Sequence, residues 1–517
     1  MSRPNVIIIL VDDMGYSDLG CFGGEIATPN VDRLGREGVR FTQFYNTARC
    51  SPSRASLLTG RHPHETGIGI LTDDERPHGY PGTLDPRFPT LAERFSEAGY
   101  ATCLSGKWHL SSNVKEPDAS WPTRRGFDEF YGILPGADDY FHPRALWHNE
   151  ERQEVPIDPG YYFTDAISAH AASFVADHAG RDPFFLYLAF TAPHWPLHAP
   201  EEDVQRYGHT FDEGWDALRP RRLERLIAEG VLPPDTELTQ RDPTQPAWSD
   251  VEDSAWESRR MAVYAAQVEI MDRGVGRVLD ALEARGALDD TVILFLSDNG
   301  ACAEEMPPPD AIHFRERQPS STPDGRPLQV GNEPAIVPGP DDTFASYGRA
   351  WANLSNSPFR LYKRWVHEGG ISTPLLARWP EGLGSGRIIH EPYQLTDITP
   401  TLLEATGLGP ADGPGVSMLP VVRGEREHDE HALVWEHVGN AAIRRGQWKL
   451  VREAGSPWEL YDIVPDRSEL HDRASELPAV VAELTAAWQA WADSVGVLPW
   501  PQKPRMAAPL SESAAAE

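Results

Sequence analysis

Cys50-Ser51-Pro52-Ser53-Arg54 packs the most chemistry into the fewest residues of this chain. Serine followed by proline reads as a helix start, with Ser51 as N-cap and Pro52 at the first helical position, so Cys50 is expected just before a helix N-terminus. Free N–H groups and the helix dipole favour an anion there. Arg54, one turn onward, adds a fixed positive charge. Five further blocks carry side chains that bind cations or move protons: Asp12-Asp13, Gly106-Lys107-Trp108-His109, Ala192-Pro193-His194-Trp195, Ser297-Asp298-Asn299-Gly300 and Arg360-Leu361-Tyr362-Lys363. Asp12, Asp13, Asp298 and Asn299 offer only oxygen, which suits a hard cation such as calcium and does not suit zinc. Three carboxylates around a divalent ion leave a negative shell, which Arg54, Lys107 and Lys363 would compensate. Lysine occurs only at 107, 115, 363, 449 and 503, so two of the five fall in these blocks. Lys115, Lys449 and Lys503 read as surface residues.

The elements that must position these groups alternate short apolar runs with helical patterns, the signature of a largely parallel sheet with helices on both faces. Strands are expected at Asn5–Val11, Val39 to about Thr47, Tyr100–Ser105, Phe184–Phe190 and Thr291–Leu296. Helices are expected after Thr28-Pro29, over Thr90–Ala98, over about Glu257–Arg285 and after Thr399-Pro400. Asp12-Asp13, Lys107 with His109, His194, and Asp298-Asn299 each follow the C-terminal end of a separate strand. In open α/β sheets that edge is where ligands bind, so four unrelated loops are expected to converge.

A Gly- and Pro-rich stretch over Gly409–Gly415 marks a boundary. Beyond it come short strand-like pieces at Ala432–Glu436, Ala441–Arg445, Trp448–Arg452 and Trp458–Tyr461, then a helix near Leu477–Val495. The expected organisation is a catalytic domain at 1–410, a small α+β subdomain at 411–500 and a disordered tail at 501–517. Gly136–Val155, Pro200–Asp253 and Cys302–Gly348 are long and polar, and read as lids and substrate loops.

The 517 residues hold 78 acidic and 47 basic side chains, a formal net charge of −31. Such a surface repels nucleic acid and anionic membrane, and neither is expected as a partner. An anionic substrate must therefore meet a locally positive pocket. Four cysteines, Cys21, Cys50, Cys103 and Cys302, make no disulfide framework and suggest a reducing compartment. The apolar run Val6–Val11 is too short for a signal-peptide core and ends at Asp12, so a cytoplasmic location is expected.

Cys-x-Pro-x-Arg followed by Ala55-Ser56-Leu57-Leu58-Thr59-Gly60 resembles the signature of the type I sulfatases, and the other blocks resemble sulfatase blocks in the family's order. The likeness is strong over about residues 4 to 400, and greatest to bacterial arylsulfatases. It implies an alkaline-phosphatase-like fold: a large mixed, mostly parallel sheet, plus a small C-terminal antiparallel sheet with a terminal helix. It implies sulfuric ester hydrolysis of sulfate monoesters, with Cys50 oxidised to formylglycine by a separate maturation enzyme. The implied catalytic set is Cys50, Arg54, Lys107, His109, His194 and Lys363. One calcium ion is implied on Asp12, Asp13, Asp298 and Asn299, with the modified Cys50 completing its shell. In the family the aldehyde is hydrated and one hydroxyl attacks sulfur. His194 and Lys363 assist the departing oxygen, and His109 takes the proton of the second hydroxyl so that sulfate leaves. Ser111 departs from the family block, which usually has glycine there.

Two rivals carry weight. A phosphodiesterase or phosphonate monoester hydrolase of the same superfamily shares much of the pattern, but generally shows Asp-His at the second metal block, where this chain has Asp298-Asn299. A silent calcium-binding scaffold should have lost a nucleophile, ligand or acid/base group, and none is lost. The alcohol part of the ester has no readable code, although Trp195, Trp351 and Tyr140 are candidates for an aromatic wall.

Overall fold

The computed structural model describes residues 3–155, 160–307, 319–428 and 431–501. The tail expected from 501 onward, with Lys503, lies almost wholly outside them. In chain order the strands are β1 (Asn5–Val11), β2 (Val39–Tyr45), β3 (Ala101–Lys107), β4 (Glu129–Ile133), β5 (Leu146–His148), β6 (Glu151–Arg152), β7 (Phe184–Ala189), β8 (Thr291–Ser297), β9 (Gln329–Val330), β10 (Thr343–Phe344), β11 (Ser372–Arg378), β12 (Arg387–Ile389), β13 (Tyr393–Gln394), β14 (Leu433–His437), β15 (Asn440–Arg445), β16 (Trp448–Arg452) and β17 (Glu459–Asp462). The large sheet runs β12-β2-β11-β8-β1-β7-β3-β4-β5-β6, with β13 also on β2. β8, β1, β7, β3 and β4 are parallel, while β11 runs antiparallel to both β2 and β8.

β1 shows why its sequence is apolar without alternation. Ile7, Ile9 and Val11 enter one hydrophobic cluster and Val6, Ile8 and Leu10 the cluster on the other face. A central strand covered on both sides must be apolar at every position. Helices α1 (Pro29–Glu37), α2 (Cys50–Thr59), α3 (Leu91–Glu97) and α4 (Phe163–His178), with the 31-residue helix Ser254–Ala284, supply much of the cover. Thr90 closes a capping box with Glu93 at the start of α3, as Thr-x-x-Glu spacing dictates.

Several expectations need correction. The segment Pro200–Asp253 is not simply a loop: it holds the helices Glu201–Gln205 and Gly214–Ala228. Pro220 and a dense run of arginines hide the second from sequence, yet Arg222 is fully buried on Asp18 at 2.7 Å and Glu25 at 2.6 Å. Cys302–Gly348 carries the short parallel pair β9 and β10, and Gly136–Val155 carries β5 and β6. The helix expected after Thr399 starts at Ile398, with Thr399 inside it. Lys449 is not on the surface. It is buried, with its Nζ 2.8 Å from both Glu368 and Glu469.

The four strands β14–β17 form the antiparallel sheet expected at the C-terminus, and the helix Pro478–Val495 packs against it. Its other face shares a cluster with the main body, in which Leu433, Trp435, Ala442, Val451 and Tyr461 meet Tyr45, Ala48, Val366 and Ile371. Among the described residues, no helix is long and apolar enough to cross a membrane.

Candidate active site

The site forms where β1, β3, β7 and β8 end, facing the start of α2. The loop after β1 is held by its neighbours: Asp12 N–H donates to Ala192 O at 3.2 Å, and Met14 N–H to Ser297 Oγ at 3.1 Å. Asp13 adopts a left-handed backbone, φ 68°, as does His109 at φ 55°. Both are non-glycine residues in a region that costs energy, and such strain concentrates at functional sites.

Helix α2 begins at Cys50 itself. Arg49 is the N-cap, with Ser53 N–H donating to Arg49 O at 3.0 Å, and Ser51 makes no capping bond. The start thus lies two residues earlier than the serine-proline signal gives, which puts Cys50 in the first turn among the unpaired N–H groups. Cys50 is only 3% exposed, and its Sγ lies 3.4 Å from His109 Nδ1.

Arg54 crosses under the site, donating from Nε and Nη2 to Asp298 Oδ2 at 3.2 and 2.9 Å and from Nη1 to Lys107 O at 3.0 Å. Lys107 Nζ lies 2.5 Å from Asp12 Oδ2, and Lys363 Nζ 2.8 Å from Asp13 Oδ2. His194 Nε2 stands 3.4 Å from the same Asp13 oxygen, while its Nδ1 meets Trp195 O at 2.6 Å. All of the residues expected from sequence, Asp12, Asp13, Cys50, Arg54, Lys107, His109, His194, Asp298, Asn299 and Lys363, are buried and are brought together here.

Two oxygens mark a place for a cation. Asp12 Oδ1 and Asn299 Oδ1 are buried without a hydrogen-bond partner. Asn299 turns its amide nitrogen to Asp13 Oδ1 at 2.7 Å and Gly300 O at 2.9 Å, so its own oxygen remains free. Buried acceptors left unpaired are costly, and a hard cation would satisfy both. The donor set therefore fits a metal of the calcium type. Three carboxylates face three cationic side chains, so the cluster is near neutral by itself, and a divalent ion would turn it positive for an anionic ester.

The electrostatics follow. Burial opposes ionisation of Asp12, but Lys107, His194 and Arg54 outweigh it and hold the carboxyl well below the usual range. Burial and the neighbouring Asp12 charge push Asp298 up, against Arg54 and Lys107. Burial, helped by Lys107 and Arg54, pushes His109 far down, which leaves a neutral imidazole beside Cys50. Burial would lower Lys363, but Asp13 reverses this and keeps it an ammonium. Burial also lowers His194, against Asp13.

Sequence reasoning missed several groups that hold the site. Glu304 pairs with Arg49 at 2.7 Å and accepts from Trp195 Nε1 at 3.0 Å, which ties the turn before Cys50 to the His194 loop. Asn356 accepts from Ala301 N–H at 3.0 Å and donates to Leu361 O and Gly369 O at 2.8 and 2.7 Å, fixing the backbone that carries Lys363. A Cβ on Gly136 would sit 2.6 Å from His109 Cε1, so only glycine leaves the ring its place. Ser111 accepts from Trp108 Nε1 at 3.0 Å, a role that glycine could not fill. Of the aromatic candidates, Trp351 and Tyr140 are buried in packing, whereas Trp195 is partly exposed and meets Phe344 edge-on at 5.7 Å.

Comparison with known proteins follows the same outline. A family profile described as Sulfatase matches residues 4–408, and one described as N-sulphoglucosamine sulphohydrolase, C-terminal, matches 359–489. An uncharacterized sulfatase of Schizosaccharomyces pombe is 33% identical over 547 residues, covering 96% of this chain and 95% of that one. An arylsulfatase of Klebsiella aerogenes is 33% identical over 423 residues, 79% of this chain and 88% of its own. Ps i-CgsB, solved in complex with k-i-k-neocarrahexaose, superposes with a TM-score of 0.70 at 25% identity, covering 98% of this chain and 96% of that one.

Proposed function

The chain belongs to the sulfatase family and is a sulfatase enzyme, and from that premise we propose that it cleaves sulfate monoesters of aryl or similarly apolar alcohols, with formylglycine at position 50 and one calcium ion. Members of the family generally carry formylglycine and a metal ion. The observation that carries the reading is the neutral His109 imidazole 3.4 Å from the Cys50 side chain, inside a ring of Arg54, Lys107 and Lys363.

Oxidation of Cys50 to formylglycine supplies, once hydrated, two hydroxyls on one carbon, of which one can attack sulfur and the other can expel sulfate. Asp12, Asp13, Asp298 and Asn299 would hold the calcium ion, which would supply a fixed charge able to polarise a sulfate oxygen. The chain's own residues do the rest. His109 is neutral and so can take a proton from the group at position 50. Lys107 and Lys363 are ammonium donors beside Asp12 and Asp13, on the wall where the anionic group must lie. His194, whose Nδ1 donates to Trp195 O, would protonate the leaving oxygen from Nε2 as the imidazolium, the form that the neighbouring Asp13 carboxylate favours against burial. Trp195 follows it and packs with Phe344, Met306, Val330 and Leu328. An apolar cluster next to the leaving-group acid supports an aryl alcohol over a highly hydroxylated one.

The all-oxygen donor set, with Asn299 where phosphonate hydrolases generally place histidine, supports calcium and the sulfate reading over that rival. The four cysteines are all unpaired and buried, which supports a reducing, cytoplasmic setting, where a maturation enzyme must act on Cys50.

The test is turnover of an aryl sulfate by protein whose position 50 has been read by mass. Activity should track the fraction converted to aldehyde, and Cys50→Ala and Cys50→Ser should both be near inactive, the serine variant alone gaining a stable sulfate mass on that peptide. Full turnover by protein carrying only the thiol would overturn the proposal. Parallel rates on an aryl phosphate diester measure the rival, and calcium content measures the metal.

A further inference from the structure

Glu129 begins β4, His148 ends β5 and His170 lies on α4, and one ligand atom of each falls within 4.8 Å of the others. None of them belongs to the site above. We propose that these three side chains form a second metal site, for a divalent transition ion of the zinc type, with His170 bound through Nε2.

The hydrogen bonds around His170 carry the argument. Ser105 Oγ donates to Ile167 O at 2.8 Å. A hydroxyl has one proton, so toward His170 Nδ1, 3.1 Å away, the Ser105 oxygen can only accept. Nδ1 therefore carries the hydrogen, and the Nε2 lone pair of the neutral ring points at Glu129 Oε1, 2.8 Å away. Two acceptors at that distance repel unless a cation lies between or beside them. That cation is either a second proton on the ring or a metal ion, and the third group present, His148, is itself a metal ligand.

The surroundings are those of a metal site. A ligating histidine typically donates its other N–H to a fixed acceptor, which here is Ser105, buried on β3. Tyr131 stacks on the His170 ring at 5.1 Å and 27° and stands directly opposite His148 across the β4–β5 pair. Asn149, at φ 56°, accepts from Phe130 N–H at 2.8 Å and holds the turn that follows His148. Two imidazoles and one carboxylate suit zinc and not calcium. Zinc holds such ligands at about 2.0–2.1 Å and so about 3.3 Å from one another, which requires His170 Nε2 and Glu129 Oε1 to open from 2.8 Å and His148 to settle at the same spacing. The exposed His148 side chain is free to make that adjustment, and the exposed side leaves room for water as fourth ligand.

The experiment uses the full chain, stripped with chelator, reloaded with calcium and titrated with zinc chloride by calorimetry, with cobalt absorption as a report of histidine ligation. Wild-type protein should bind one zinc in the micromolar range or tighter. His148→Ala and Glu129→Gln should each weaken it at least tenfold, with circular dichroism and thermal midpoint in calcium unchanged. His148 is exposed, so its loss should leave the fold intact. Absence of saturable zinc binding by wild-type protein would show a proton in that place and overturn the proposal. Equal binding by wild type and both variants, with zinc lodged elsewhere, would overturn it too.

Discussion

His109 and His194 approach the reacting centre from two different strand ends, and their surroundings assign them different work. His109 touches the position-50 side chain, whereas His194 leans on Asp13 and its own loop carbonyl. His109→Ala should therefore slow sulfate release more than sulfate transfer, by about 10²–10⁴. His194→Ala should instead steepen the dependence on leaving-group pKa, its loss greatest for poor leaving groups. A leaving-group series with a pre-steady-state burst separates the two, and identical responses would sink the division. Asp298→Ala and Asp13→Ala should lose calcium and turnover while circular dichroism stays native, because both lie at a strand end and not in the apolar core. Metal retained with normal turnover in either would remove it from the ligand set. Sequence named the groups that touch the chemistry because each sits in a short block, four of the blocks at strand ends and Cys50 with Arg54 at a helix start. It could not name Glu304, Asn356 or Gly136. Their partners, Arg49 with Trp195, Ala301 with Leu361, and His109, are set by how distant loops meet, and nothing local in the chain records that.

At the scale of elements, the most consequential surprise is Lys449, held between Glu368 and Glu469 where the small sheet meets the large one. Arg467 joins them, 3.1 Å from Glu368, and stacks over Tyr16 and Phe359. Removing one partner from such a buried network strands the others, so Lys449→Met should cost about 3–5 kcal/mol, read as a lower urea midpoint. Burial raises Glu368, but Lys449 and Arg467 outweigh it and bring it down to about 2. Its folded value is thus below its unfolded one, so its contribution is complete above the ordinary carboxylate range and is lost as pH falls from about 4.5 toward 2. Urea midpoints at pH 7 and pH 4 should fall in wild type, and fall less in Lys449→Met, which has already lost the pairing. Lysine alone in a strand-like stretch gives no hint of burial. The strand core was legible for a related reason: two-sided burial forces unbroken apolar runs such as Val6–Val11, whereas β4, β5 and β11, with shorter or mixed patterns, went unread.

Over the whole molecule, a net charge of −31 surrounds a pocket lined by buried cations. The two act at different ranges. Solution salt shortens the reach of the outer field to about 10 Å at 0.1 M but barely touches buried pairs. For a monoanionic aryl sulfate, kcat/KM should therefore rise, by roughly 2–3-fold, between 25 and 250 mM sodium chloride, with kcat unchanged. A steep fall would mean that the pocket's own field dominates the encounter. The order of the large sheet has another consequence, one of time. β1 takes its two neighbours from residues 184–189 and 291–297, pairing Val6 with Phe185 and Val292. During synthesis at about 5–20 residues per second, the most apolar strand of the chain waits roughly 15–60 seconds for its second flank. Throughout that wait one of its edges stays open on a ribosome-bound chain, the condition in which an apolar strand is most prone to pair wrongly.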